Sequence, residues 1–233
     1  MTRLAEGRDT HLEPSEIATE TLRLFDEGHD PSIRQLAKEL NVTPSAIYHH
    51  FESRAEIVQS AVELVWREIL GDIFDRTGDP FTADPVDVLV AAGEATRSAF
   101  GKHYAIAPYM AATPASDELS AGTLAIVANV FERFGLKGEA AAEAFHAYGS
   151  YTFGTALFNA NRIAANAELD ISRVEIDRLE QFRSESAPEV AQLSSVETRT
   201  AIDGVMDLSM VDPERDEELF AMGLRQLIES MRP

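Results

Sequence analysis

The run Asn41-Val42-Thr43-Pro44 places a helix terminator and a helix initiator one residue apart. Asn tolerates the left-handed backbone that closes a helix, and Thr followed by Pro is an N-cap with a preset first turn. Upstream, Asp30-Pro31 reads as a start, and Ile33, Leu36, Ala37 and Leu40 recur at helical spacing, predicting a helix over 31–40. Downstream, Ile47 and Phe51 lie one helical turn apart, predicting a short second helix over 44–51. Helices joined by so tight a break cannot run end to end. They cross, and a further element has to cover their apolar sides. The segment 14–25 can do so with Ile17, Thr21, Leu22, Leu24 and Phe25, and Gly28 ends it. Ser53-Arg-Ala-Glu56 is a capping box that starts a much longer helix, with Ile57, Ala61, Leu64, Val65 and Ile69 along one stripe towards Phe74.

Beyond Gly78-Asp-Pro80 the periodicity predicts helices at about 85–100, 104–112, 116–134 and 138–165, the last two separated by Gly135-Leu-Lys-Gly138. Ser172-Arg-Val-Glu175 and Ser186-Ala-Pro-Glu189 are capping boxes that predict short helices in an acidic connection. Asp212-Pro213 opens a final helix whose stripe is Leu219, Phe220, Gly223, Leu224, Leu227, Ile228 and Met231. The expected fold is all-α. It has a three-helix head over 1–56, of which 1–12 is a flexible arm, and a larger helical domain over 57–233.

Charge narrows the partners. The 20 Lys and Arg stand against 40 Asp and Glu, a net of -20. Residues 166–220 hold 15 acidic and 5 basic side chains, half of that excess, and read as a solvated surface. Residues 31–54 are the exception: Arg34, Lys38 and Arg54 against Glu39 and Glu52, with His49 and His50 beside them. If any part of the chain meets a polyanion, it is this one. Cysteine is absent, which excludes disulfides, cysteine–zinc sites and thiol nucleophiles. Neither a leader-like start nor an apolar run of about 18 residues is present, so a soluble cytoplasmic protein without membrane contact is expected. A glycine-rich phosphate loop, a GxSxG elbow and paired histidine spacings are also missing from the sequence, so no enzyme activity, cofactor or metal is expected.

The two short helices have the form of a helix-turn-helix, whose second helix enters the major groove. With Ile47 and Phe51 inward, Thr43, Pro44, Ser45, Ala46, Tyr48 and His49 are expected on the outer face and leading end. Small residues there allow close approach and contact with thymine methyls, and hydroxyls suit phosphate oxygens. The stretch SIRQLAKELNVTPSAIYHHFESRAEIV (32–58) resembles the DNA-binding domain of the TetR family of bacterial transcriptional regulators. GLKGEAAAEAFHAYGSYTFGTALFNANR (135–162) and DEELFAMGLRQLIESM (216–231) resemble the dimerisation helices of its tetracycline-binding branch.

Carried over by position, the resemblance implies DNA contacts at Arg34, Thr43, Pro44, Ser45, Ala46, Tyr48, His49, His50 and Arg54. Tyr48 and Arg54 would take phosphates; Arg34, Ser45, Ala46 and His49 would read bases. It further implies a homodimer on a double-stranded, pseudo-palindromic operator, released by a small-molecule effector. The interface is expected at Phe145, Tyr148, Gly149, Thr152, Leu224, Leu227 and Ile228. The aromatic-rich set Trp66, Phe100, His103, Tyr104, Tyr109, Met110, Phe131, His146, Tyr151 and Phe158 is expected to line the effector pocket. Tyr109 stands where the tetracycline-binding branch has a metal-binding histidine, so a metal–tetracycline chelate is not the expected ligand. A second reading remains open: an all-α ligand-binding or scaffolding protein with an inactive head, which the local charge of only +1 over 31–54 would suit.

Overall fold

The computed structural model describes residues 12–112, 117–169 and 213–233, and among them the chain forms nine helices and no strand. In order they are α1 (Pro14–Asp26), α2 (Ile33–Glu39), α3 (Pro44–Tyr48), α4 (Arg54–Thr77), α5 (Pro85–Lys102), α6 (Ala107–Ala112), α7 (Asp117–Phe134), α8 (Gly138–Leu169) and α9 (Pro213–Ser230). The helices expected around Ser172 and Ser186, and the arm up to residue 11, lie outside the described residues.

The local chemistry at the helix ends is mostly as the sequence suggests. Asn41 takes φ 54° and closes α2. Thr43 accepts from the Ala46 N–H at 3.2 Å and opens α3. Helix α2, however, starts later than Asp30-Pro31. Its cap is Ser32, whose hydroxyl accepts from the Gln35 N–H while the Gln35 carbonyl oxygen accepts from the Ser32 N–H at 2.9 Å. A cap satisfied in both directions outcompetes the single acceptor of Asp30, which is engaged elsewhere. At α4 the Ser53 hydroxyl accepts from Glu56, but the Glu56 carboxylate reaches back to the Glu52 N–H at 2.7 Å, one residue before the cap.

Two cores result. The smaller holds Ile17 and Leu24 of α1, Leu36 and Ala37 of α2, Ile47 of α3, then Phe51 and Ile57. Five-residue α3 is far too short to be stable alone, so the burial of Ile47 and Phe51 holds it in place. The larger core has α5 at its centre, packed against α4, α7, α8 and α9. Phe25 of α1 already belongs to this second core, and on α4 the change from one core to the other falls between Ile57 and Val58. Two helices, α1 and α4, therefore join head and body. Helix α9 seats on α5 because Gly93 lacks a side chain: a Cβ there would stand 2.5 Å from Leu224 Cδ2.

Candidate nucleic-acid interface and apolar cavity

On the head, Ile47 and Phe51 face inward, leaving Thr43, Pro44, Ser45, Tyr48, His49 and His50 exposed on α3 and its flanks. Tyr48 is 54% exposed, a large aromatic ring with more than half of its surface in water. Arg34, on the first turn of α2, and Lys38 are also exposed and make no ion pair among the described residues. Two expectations need correction. Ala46 is buried beside Ile47, because its position on so short a helix turns it towards α2, and its methyl is not presented outward. Arg54 is held within the protein: its Nε donates to the Pro31 carbonyl at 3.0 Å and its Nη2 pairs with Asp30. The side chain ties the start of α4 to the loop before α2.

The junction between head and body is polar. His103, 3% exposed at the end of α5, has Nδ1 2.7 Å from the Asp26 carboxylate of α1 and Nε2 3.1 Å from Glu68 of α4. Lys102 donates to Glu68 at 2.7 Å. Burial pushes the Glu68 carboxyl upward, but hydrogen bonds from Lys102 and His103 outweigh it and hold the group below its usual range. Beside this cluster Phe25 meets Tyr109 of α6 edge-to-face at 5.6 Å. His103 and Tyr109, expected in the pocket, instead tie α1 to the body.

The body contains an apolar cavity of about 150 Å³. Its walls are Trp66, Ile69, Leu70 and Ile73 of α4; Val88, Leu89, Ala92 and Thr96 of α5; Ile126, Val127 and Val130 of α7; and Phe145, Tyr148, Gly149, Thr152 and Phe153 of α8. Of the expected pocket residues only Trp66 lies there. Phe100, Met110 and Phe131 are buried in the core itself, Tyr104 is half-buried, and His146 is exposed. Tyr151 stacks on Phe220 of α9 at 5.8 Å and donates to its carbonyl, while Phe158 is 69% exposed.

Conversely, Phe145, Tyr148, Gly149 and Thr152, expected between subunits, form the α8 wall of the cavity. Tyr148 and Thr152 are buried, and Leu224 and Ile228 are fully buried against the body, so none of the four is free to meet another copy. Leu227 is half-buried. Residues 145, 148, 149 and 152 make one helical face, and periodicity identifies such a face without naming what it packs on. The large apolar side chains of α8 and α9 that stand exposed are Phe145, Phe158 and Met222.

Sequence reasoning also missed Arg97. It is 4% exposed, with Nε donating to Glu217 at 2.9 Å, Nη1 to the Thr155 carbonyl at 3.3 Å and Nη2 paired to Asp216, its guanidinium 4.7 Å above the Phe220 ring. The only available signal was the acidic pair at the start of α9. Among the described residues no group of three or more His, Asp or Glu side chains could hold a metal ion, and no helix is long and apolar enough to cross a membrane.

A helix-turn-helix head joined by α1 and α4 to a larger all-helical body with an internal cavity defines a class, and comparison with known proteins agrees with it. Residues 17–61, which span the head, match the model of the family described as bacterial regulatory proteins, tetR family. Beyond the head, the fold is similar to that of solved TetR-family proteins. The TetR-family protein ActR of Streptomyces coelicolor, solved with actinorhodin, is 20% identical, with a TM-score of 0.69 over 95% of this chain and 96% of its own. A single-substitution variant of TetR from Acinetobacter baumannii AYE, solved with minocycline, is 22% identical, with a TM-score of 0.63 over 94% and 93%. BioQ, solved with its natural double-stranded DNA operator, is 20% identical, with a TM-score of 0.52 over 65% and 90%. No curated protein matches the sequence.

Proposed function

We propose that this protein is a ligand-responsive transcriptional regulator that binds a pseudo-palindromic operator as a homodimer, represses from it, and is released by a small-molecule effector. The observation that carries the reading is the two-sided chemistry of α3, an apolar back and an exposed face of hydroxyls, imidazoles and a phenol. That is how a recognition helix divides core from major groove. Tyr48, with Arg34 and Lys38, would take phosphates or a base edge, and Ser45 and His49 would read bases. The ligand and operator complexes of the similar folds support both halves of the reading. The chemistry is recognition rather than bond-making, and its place of work is the cytoplasm.

Coupling follows from α4. Its first turn is bolted to the head through Arg54, and Trp66 lies twelve residues further on, about 18 Å at the helical rise. An effector that fits one tilt of α4 better than another changes the separation of the two heads, whose half-sites lie about 34–36 Å apart. The exposure of Phe158 on α8 and Met222 on α9 supports a second copy seated on these two helices.

Selection of bound sequences from a random duplex library, at low and moderate salt, tests the function. An enriched inverted repeat with half-sites about one turn apart is expected. Phe158→Glu should shift the particle to monomer mass in sedimentation and abolish enrichment. An inactive head is the second reading, favoured by the engagement of Arg54 with Asp30, which removes one cation from the face. Folded, dimeric protein that enriches no motif would establish that reading instead.

A further inference from the structure

The cavity walls carry few polar protons, and each hydroxyl proton has a partner. Tyr148 donates to the Leu89 carbonyl at 2.7 Å, Thr96 to Ala92 at 2.7 Å and Thr152 to Tyr148 at 2.9 Å. No charged side chain is among the wall residues. The exception is Trp66: its indole Nε1 is buried and has no acceptor among the described residues. A buried donor left unpaired is costly, and native structures rarely leave one without reason. The indole is held by Phe153, another wall residue, at 5.7 Å between ring centroids, so it has little freedom to turn and find an acceptor in the protein.

We infer that the effector is an uncharged, largely apolar molecule presenting one hydrogen-bond acceptor, such as a carbonyl or ether oxygen, to Trp66 Nε1. The inference rests on the effector-responsive reading above and assigns the chemical class its cavity takes. An ionised ligand would enter a wall without a counter-charge, and desolvation would oppose it. A pure hydrocarbon would fit but leave the indole proton unpaired. A cavity near 150 Å³ holds about one six-membered ring, and half-exposed Phe145 lies where a larger ligand would extend outward.

Three probes of one shape separate these cases: acetophenone, ethylbenzene and benzoate, titrated by calorimetry into the full-length protein without DNA. Acetophenone should bind about three- to ten-fold tighter than ethylbenzene, the worth of one neutral hydrogen bond, and benzoate should bind about 100-fold more weakly or give no heat. Trp66 is the only tryptophan in the chain, so its fluorescence should change with both neutral probes and locate them. Trp66→Phe should lower acetophenone to the ethylbenzene level and leave ethylbenzene nearly unchanged. Ala92→Leu, which fills the cavity from α5, should remove both and keeps the inference testable if Trp66→Phe fails to fold. Benzoate binding as well as acetophenone, a ketone preference surviving Trp66→Phe, neutral probes unaffected by Ala92→Leu, or no binding by any probe would each overturn the inference. These outcomes are independent of the operator selection. An enriched inverted repeat with failed probe selectivity leaves the regulator standing, and the reverse pattern leaves only the cavity chemistry.

Discussion

Ala92→Leu tests the cavity as a physical object. Ala92 sits in the α5 wall, and leucine adds three carbons directed into a void of about 150 Å³. At ~0.8 kcal/mol per buried methylene the gain approaches ~2.4 kcal/mol, and fixing the leucine rotamer returns ~0.5–1 kcal/mol of it. A net stabilisation of about 1.5 kcal/mol follows. The coefficient for cavity formation, ~24 cal/mol per Å³, puts complete elimination of such a void at ~3.6 kcal/mol, so partial filling is consistent with that figure. For a chain of this size the Tm should rise by about 3–6 °C. Urea unfolding followed by circular dichroism reads the change as a shifted midpoint at unchanged slope. Operator binding should persist while release by effector is lost. A Tm lowered by several degrees would mean that the site is already filled by its own side chains, and the account of the cavity as an effector site would fall with it.

The remaining predictions address the head, the junction and the seat of α9. Tyr48→Ala should weaken binding to every duplex alike, whereas His49→Ala should alter the selected sequence; unchanged footprints in both variants would remove α3 from the interface. Arg34→Ala should either reduce the salt dependence of binding by about one ion or relax preference at a single base pair, and salt titrations with variant operators distinguish the two. Because the folded Glu68 carboxyl titrates below its ordinary value of 4.5, its contribution to stability is present above that pH and is lost as pH falls through the folded value. Glu68→Gln should therefore flatten the acid limb of a Tm-against-pH curve below about pH 4.5, and an unaltered acid limb would exclude this junction as its source. Gly93→Ala would put a Cβ 2.5 Å from Leu224 and 3.3 Å from Thr152 Cγ2, so it should cost ~1–3 kcal/mol in chemical denaturation as α9 is pushed off α5.

Nearly all of the helical framework was legible in the residues, because helix ends are set by neighbours in sequence. Asn41 in the left-handed region, and Thr43 and Ser53 accepting from the N–H three residues on, depend on contacts no more than one turn away, and the spacing of Ile47 and Phe51 is itself one turn. The same locality made the exposed face of α3 readable, since Tyr48 and His49 follow the buried Ile47 directly. Where two local signals competed the outcome was narrower: Ser32 with Gln35 displaced Asp30 as the cap of α2.

Only the tertiary structure decided what each stripe faces. The register of α8 gathers Phe145, Tyr148, Gly149 and Thr152 on one side, and that pattern is the same whether the opposite surface is a second subunit or a cavity wall. In the folded chain Tyr148 and Thr152 are buried beside the cavity, Phe145 and Phe158 are exposed, and Leu224 and Ile228 turn into the body. The charged partnerships were equally invisible along the chain. Arg54 meets Asp30 across 24 residues, His103 reaches Asp26 across 77, and Arg97 reaches Asp216 across 119. Helix ends and apolar stripes are dictated within a turn or two of chain. The partner of a buried charge, and the occupant of an apolar face, depend on which distant segments the fold brings together.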